Sequence, residues 1–252
     1  MKNKIGWCNL TWNPVWGCNN HCEYCYARGI AKRFSEFIAE YEIDEIYGGS
    51  IDGNSLISFY NEKKENIEDF IPTFLHSQFK KKFPKKPQRI FIGSMSEIYY
   101  WKTEWRVKVM EKIKQYPQHI FQFLTKFRVV YNAWSFPKNC WLGITATRED
   151  DLKLGLPFLM VTDKRIQFLS IEPILEKINP KLFDEIIRID WVIIGAETGN
   201  RKGKVIPKRE WIEDIADYCQ TNNIPVYLKD SVNKLFPDIM AYKQFPKNKG
   251  GE

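Results

Sequence analysis

Three cysteines, Cys18, Cys22 and Cys25, lie within eight positions in the stretch GCNNHCEYCYA, residues 17–27. The other three, Cys8, Cys140 and Cys219, are scattered. Six thiols would make three disulfides on paper, but such uneven clustering favours metal or catalytic use for the tight group. A structural zinc site needs four closed ligands, commonly from two paired knuckles, and the sequence holds no second pair. His21 adjoins Cys22 and would approach under strain; His119 is remote in sequence. A four-iron cluster on three thiolates is different, because the unligated iron stays open to a small molecule and the missing ligand becomes the reactive position. Backbone amides near the start of a following helix can stabilise its anionic sulfurs. Tyr24 and Tyr26, on either side of Cys25, are placed to shield such a cluster and to lean toward a ligand on it. On these residues alone a cluster, a zinc ion and a chance grouping of structural thiols remain the three readings. Cys140 and Cys219, each in an apolar stretch, read as buried thiols.

The elements that must position this loop follow from periodicity. After residue 88 short apolar runs alternate with amphipathic segments, the pattern of parallel strands joined by helices. Strands are expected at Arg89 to Gly93, Ile120 to Leu124, Cys140 to Thr145, Ile166 to Ser170, Trp191 to Gly195 and Pro225 to Lys229. Helices are expected at 104–116, 128–135, 149–162, 180–187 and 208–221, with Asp163 and Asn223 as stops. A strand near Leu10 to Val15 and a helix from Tyr26 to Ala39 bring the count to about seven β/α units. The fold class is therefore α/β, an open, partial parallel barrel of six to seven strands rather than a full eightfold one. Residues 40–88 break the rhythm and read as an insertion or cap within a single domain spanning 1–252. Their Lys80-Lys81-Lys82 and Lys85-Lys86 read as a solvated face.

In a parallel barrel, function collects where strands end. Here those ends are polar: Ser94-Met95-Ser96-Glu97, Thr125-Lys126, Thr145-Ala146-Thr147, Ser170-Ile171-Glu172-Pro173, Gly195-Ala196-Glu197-Thr198 and Lys229-Asp230. Each alone reads as a cap or turn; together they line a pocket. The 252 residues are 44% hydrophobic and 15% aromatic, enough for one large core, and the net charge of +7 suits an anionic ligand or a nucleic acid. The start carries no apolar signal core and no stretch approaches a membrane span, so a cytoplasmic location is expected. No Walker or Gly-x-Gly-x-x-Gly loop occurs, and His21, His76 and His119 lack a matching nucleophile.

The Cys-x3-Cys-x2-Cys spacing, with an aromatic residue before the third cysteine, resembles the signature of the radical S-adenosylmethionine (SAM) superfamily. The blocks TWNPVWGC, CYA, IFIGSMSEIY, FQFLTK, WLGIT, FLSIEPIL, DWVIIGAETG and PVYLKD extend the likeness over most of the chain. They are similar to a phage and bacterial family of radical-SAM-like proteins, one branch of which is linked to queuine salvage as a lyase that frees queuine from its nucleotide. The resemblance implies a [4Fe-4S] cluster on Cys18, Cys22 and Cys25, SAM chelated at the open iron, and a 5′-deoxyadenosyl radical that abstracts a substrate hydrogen. It implies SAM contacts from Tyr24, from Ser94 and Ser96 in the stretch that stands where a Gly-Gly-Glu-like segment receives the SAM amino group, and from Thr125 and Lys126 toward its carboxylate. Thr145 would meet a ribose hydroxyl, and Gly195 and Ala196 would support adenine by backbone contact.

Substrate groups would come from Glu172, Glu197, Lys229 and Asp230, with Tyr99 and Trp16, and also Trp12, Tyr100 and Trp101, stacking on a base. The implied partners are a nucleotide or deazaguanine substrate and a reductant such as ferredoxin or flavodoxin. Two other readings compete: a radical SAM enzyme that modifies or repairs nucleic acid, helped by the positive charge, and a non-enzymatic, cluster- or metal-containing nucleic-acid-binding protein.

Overall fold

Near-continuous apolar runs build a sheet buried on both faces, and strands such as WVII at 191–194, buried at every position, are rich in β-branched and aromatic residues accordingly. The computed structural model describes residues 5–47, 53–153, 165–185 and 188–247. Strands β1 (Leu10–Trp12) and β2 (Val15–Trp16) precede helices α1 (Tyr26–Tyr47) and α2 (Gly53–Glu68). Then β3 (Thr73–Phe74) and the short α3 (His76–Lys80) lead to β4 (Arg89–Ile92), a 3-10 turn at Ile98–Tyr100 and α4 (Thr103–Lys114). The rest alternates: β5 (Ile120–Thr125), α5 (Val129–Ala133), β6 (Cys140–Thr145), α6 (Glu149–Lys153), β7 (Gln167–Ile171), a 3-10 helix at Pro180–Glu185, β8 (Trp191–Ile194), α7 (Arg209–Thr221), β9 (Val226–Leu228) and α8 (Asp230–Asn233).

Seven strands form one all-parallel sheet in the order β1-β4-β5-β6-β7-β8-β9, curled into an open partial β/α barrel. One face, including Ile90, Phe121, Leu142, Leu169, Val192 and Val226, packs on Val109 and Ile113 of α4 and on Ile212 and Ile215 of α7. The opposite face is an aromatic plug of Trp7, Phe91, Trp141, Phe168, Trp191 and Tyr227. Each such side chain contributes roughly 2–3 kcal/mol of burial. The free edge of β9 is covered by the C-terminal segment, whose Tyr242 carbonyl accepts from Leu228 N at 2.8 Å and whose Gln244 N donates to Val226 O at 2.9 Å. Covering an edge this way satisfies backbone groups that would otherwise template aggregation.

The expected strands are present with small shifts of their ends, and Asn223, at φ +56, stops α7. Three expectations change, and a fourth is seen only in part. The N-terminal strand splits at Asn13-Pro14, and its second half pairs antiparallel with β3 instead of joining the sheet. Helix α1 does not end at Ala39 but runs to Tyr47, packing on α2 through Ala27, Ala31, Ile38 and Ile67, where the small residues permit close approach. The segment 180–187 forms a 3-10 helix over Pro180–Glu185. Of the helix expected at 149–162, α6 is seen over Glu149–Lys153; the remainder and Asp163 lie outside the described residues. Cys140 and Cys219 are buried thiols, and the lysines at 80–82, 85 and 86 are exposed. No described helix is long and apolar enough to cross a membrane.

Candidate functional site

Parallel strands deliver all their C-terminal ends to one rim, and the cysteine loop between β2 and α1 is tied onto it. Gly17 forms an isolated parallel bridge with Ser96, beyond β4, and its N–H donates to Met95 O at 2.9 Å. Gly17 has φ +104, and a Cβ there would stand 2.2 Å from the Ile71 carbonyl oxygen, so only glycine lets the loop pass. Cys18 N donates to Phe70 O at 2.8 Å, while Arg28 reaches back from α1 to Asp69 O at 3.2 Å and Cys18 O at 3.4 Å.

From this anchorage the loop sends side chains to separate strand ends. Tyr24 Oη accepts from Lys126 Nζ, just beyond β5, at 2.9 Å. Tyr26 Oη donates to Ser94 O, beyond β4, at 2.9 Å. Glu23 accepts from Arg201 of the β8–α7 connection at 3.3 Å.

The three thiols are free and half-buried. Asn20 N–H points at Cys18 Sγ from 3.3 Å. Burial pushes the Cys18 thiol up to about 11 against that hydrogen bond, and the negative charges of Glu97, Cys22 and Cys25 push the same way. Bare, the Cys18 thiol stays protonated, whereas a bound metal cation would stabilise it as the thiolate. Among the described residues no three His, Cys, Asp or Glu side chains gather into a ready-made single-ion site. What the site offers toward an iron–sulfur cluster is three half-buried thiols, the Asn20 N–H directed at the Cys18 sulfur, and Tyr100 near Cys18 and Cys22. His21, at φ +46, turns its Nδ1 to Arg28 at 3.3 Å. His119 sits before β5, at the opposite end of the sheet from the rim, where its Nδ1 accepts from Gln88 N at 3.1 Å. It is not a fourth ligand.

Glu97 is the buried charge that organises the near side of the rim. Its carboxylate accepts from Thr125 Oγ1, from Lys126 N at 3.0 Å and from Tyr99 N at 3.2 Å. Burial raises its pKa, and those hydrogen bonds only partly offset it. For Lys126, burial pulls the ammonium down, but the Tyr24 phenol, Cys22 and Asp151 outweigh it and leave the net shift upward. Ser94 Oγ is hydrogen-bonded to Asn13 Oδ1 at 3.0 Å, and Ser96 Oγ accepts from Trp101 Nε1 at 3.0 Å.

A family model described as "Protein of unknown function (DUF5131)" matches residues 2–242. The chain belongs to this family. No curated protein and no solved structure matches it. The matched span covers the whole parallel sheet together with the cysteine loop and both sides of the rim.

On the far side of the rim, Glu172 and Lys229 form a half-buried ion pair directly over Gly195. A Cβ on Gly195 would lie 3.0 Å from Glu172 Cγ and 3.1 Å from Lys229 Cδ. The space read as an approach for a flat ring is thus filled by this pair, and Ala196 N–H, read as an adenine contact, donates to Ser231 Oγ at 3.0 Å. Glu197 is not open to a ligand either: it is 4% exposed, gripped at both oxygens by Arg201 at 2.7 and 2.9 Å. Arg201 holds its carboxyl below the usual range. Asp230 pairs with Lys243 at 2.8 Å.

Thr145 is half-buried beside Ser170 of β7, whose buried hydroxyl has no hydrogen-bond partner. Tyr99 is exposed and stacked on Phe127 at 4.4 Å. Trp16, like Cys18 and Cys25, packs against the buried cluster of Ala27, Phe70 and Met95, and its indole nitrogen is unpartnered, whereas Trp12 and Trp101, at 1% exposure, are core and cannot stack on a base. Glu97, Glu23, Asn13, Arg201 and Ser231 take part in the rim without having been candidate site residues in their own right. Of these only Glu97 carried a signal, as the acid closing Gly93-Ser94-Met95-Ser96-Glu97.

Proposed function

We propose that this protein is a radical SAM enzyme, with Cys18, Cys22 and Cys25 holding a [4Fe-4S] cluster. The observation that carries this reading is a three-thiol loop, with no fourth protein ligand in place among the described residues, pinned across the C-terminal rim of an open seven-stranded parallel barrel. When bound, the cluster and SAM supply one-electron cleavage of the sulfonium and with it a 5′-deoxyadenosyl radical. The residues of the chain bind, orient and exclude water around that chemistry. Lys126, kept cationic by Tyr24, is the counter-charge for the SAM carboxylate. Glu97 has both oxygens occupied by protein donors, so its work is to position Thr125 and Lys126. The aromatic plug closes the far end of the barrel, leaving the rim as the entrance.

For substrate we propose a queuosine nucleotide, from which hydrogen abstraction at the ribose opens the N-glycosidic bond and releases queuine. The Glu172–Lys229 pair supports this choice: it offers a carboxylate to an amine or diol and an ammonium to a phosphate once a ligand separates them. Thr145 and Tyr99 flank the same rim for a hydroxyl and a base face. The test is anaerobic reconstitution with iron and sulfide, reduction with dithionite, and chromatography with SAM alone and then with queuosine 5′-phosphate. Deoxyadenosine that rises with the nucleotide, alongside free queuine, is the expected result. Deoxyadenosine indifferent to the nucleotide removes this substrate, and none from a cluster-loaded protein removes the radical reading.

A further inference from the structure

A second concave feature lies on the helix-covered side of the barrel, between α2, β3, the start of α3 and the start of α4. It is a cleft of about 350 Å³, and three lysines, Lys63, Lys102 and Lys108, line it together with His76. Its apolar wall is Phe74 and Trp105, both buried, whose ring faces are already covered: Lys108 lies 5.6 Å from the Phe74 centroid and Lys102 5.1 Å from that of Trp105. A planar base therefore finds no free ring to stack on, while the ammonium groups remain as donors. Lys63 spends one N–H on Phe74 O at 3.3 Å, and an ammonium has three.

These cations work against one another. Burial, and then Lys102, hold the Lys63 ammonium below its ordinary value despite Glu42 and Glu62. His76 is held low by burial, with Lys63 and Lys108 adding to it against Glu42. The carboxylates nearby do not resolve the conflict. Glu42 is buried and accepts from His76 N at 2.7 Å, Ser77 N at 2.8 Å and Ser77 Oγ, while Glu62 and Glu104 line the cleft from exposed positions. The His76 Nδ1 atom is buried with no hydrogen-bond partner, 3.6 Å from Glu42. Three ammonium groups against the two exposed carboxylates of the lining leave it an excess of donors and positive charge, which an anion would take up.

We propose that this cleft is a binding site for a phosphate group, separate from the cysteine rim and supplied by a nucleotide or a polynucleotide. Charge and donors select the phosphate, and the covered rings exclude recognition of the base.

The test uses the full chain and three probes: inorganic pyrophosphate, a nucleoside diphosphate and a ten-nucleotide single strand. Calorimetry compares the wild type with Lys63→Gln/Lys108→Gln and with a charge-matched control, Lys114→Gln/Lys234→Gln, whose lysines are exposed elsewhere. Pyrophosphate affinity is expected to fall at least tenfold in the first and to stay within twofold in the second. Lys102→Gln, at an exposed position, gives a smaller loss and serves if the double variant misfolds. In NMR titrations the His76 imidazole pKa is expected to rise with pyrophosphate while that of buried His119 does not. Displacement of pyrophosphate by the diphosphate or by the strand identifies the source. Equal weakening in both double variants, an unmoved His76, or no pyrophosphate binding overturns the proposal.

Discussion

Glu97 shows how one buried carboxylate sets a rim. Three donors from two strand ends converge on it, so Glu97→Gln must turn an N–H toward at least one of them. A mismatched buried donor costs about 1–3 kcal/mol, and urea unfolding should show that loss with an unchanged slope. Under the radical SAM reading the same variant should raise the KM for SAM, because Lys126 loses the acceptor that fixes its backbone. The Glu172–Lys229 pair over Gly195 makes a second prediction. A double-mutant cycle with Glu172→Gln and Lys229→Met should give a coupling of about 0.5–3 kcal/mol. Gly195→Ala should shrink it, since the new Cβ meets both side chains at 3.0–3.1 Å and must push them aside.

At the level of elements, the cysteine loop is held from both sides, by β4's extension and by the 70–71 segment that follows α2. The segment read as an insertion is therefore part of the site's scaffold. Gly17 is where the two supports come closest. Gly17→Ala meets backbone at 2.2 Å in a conformation that costs any L residue of order 1–3 kcal/mol. We expect that variant to keep its far-UV circular dichroism, because the sheet is untouched, and, under the proposed cluster reading, to lose most iron uptake on reconstitution. Full iron loading by Gly17→Ala would show that the loop does not need this anchorage.

Across the whole molecule, Arg201 links the two sides of the rim by holding Glu197 behind β8 and Glu23 in the cysteine loop. Glu197 has its folded pKa lowered, chiefly by the Arg201 hydrogen bonds. Its contribution is thus present at neutral pH and above the unfolded carboxylate value, and it fades as pH falls through the folded value. Arg201→Ala should cost about 1.5–3 kcal/mol at pH 7. The gap between variant and wild type, read from urea midpoints, should narrow at pH values below the ordinary carboxylate range. A gap independent of pH would mean that Arg201 acts through packing alone.

The sequence by itself determined the parallel sheet, because strand and helix periods are local properties and β4 to β9 alternate them cleanly. It also determined the three-thiol loop, since spacing within eight residues needs no folding to be read. It could not reveal that Val15 leaves the sheet for Thr73-Phe74, that α1 continues past Ala39, or that Glu197 is spent on Arg201 while Glu172 finds Lys229. Those outcomes depend on which polar groups are carried to the same place by distant segments. Burying a charge is costly unless its partner arrives with it, and only the tertiary structure decides which partner that is.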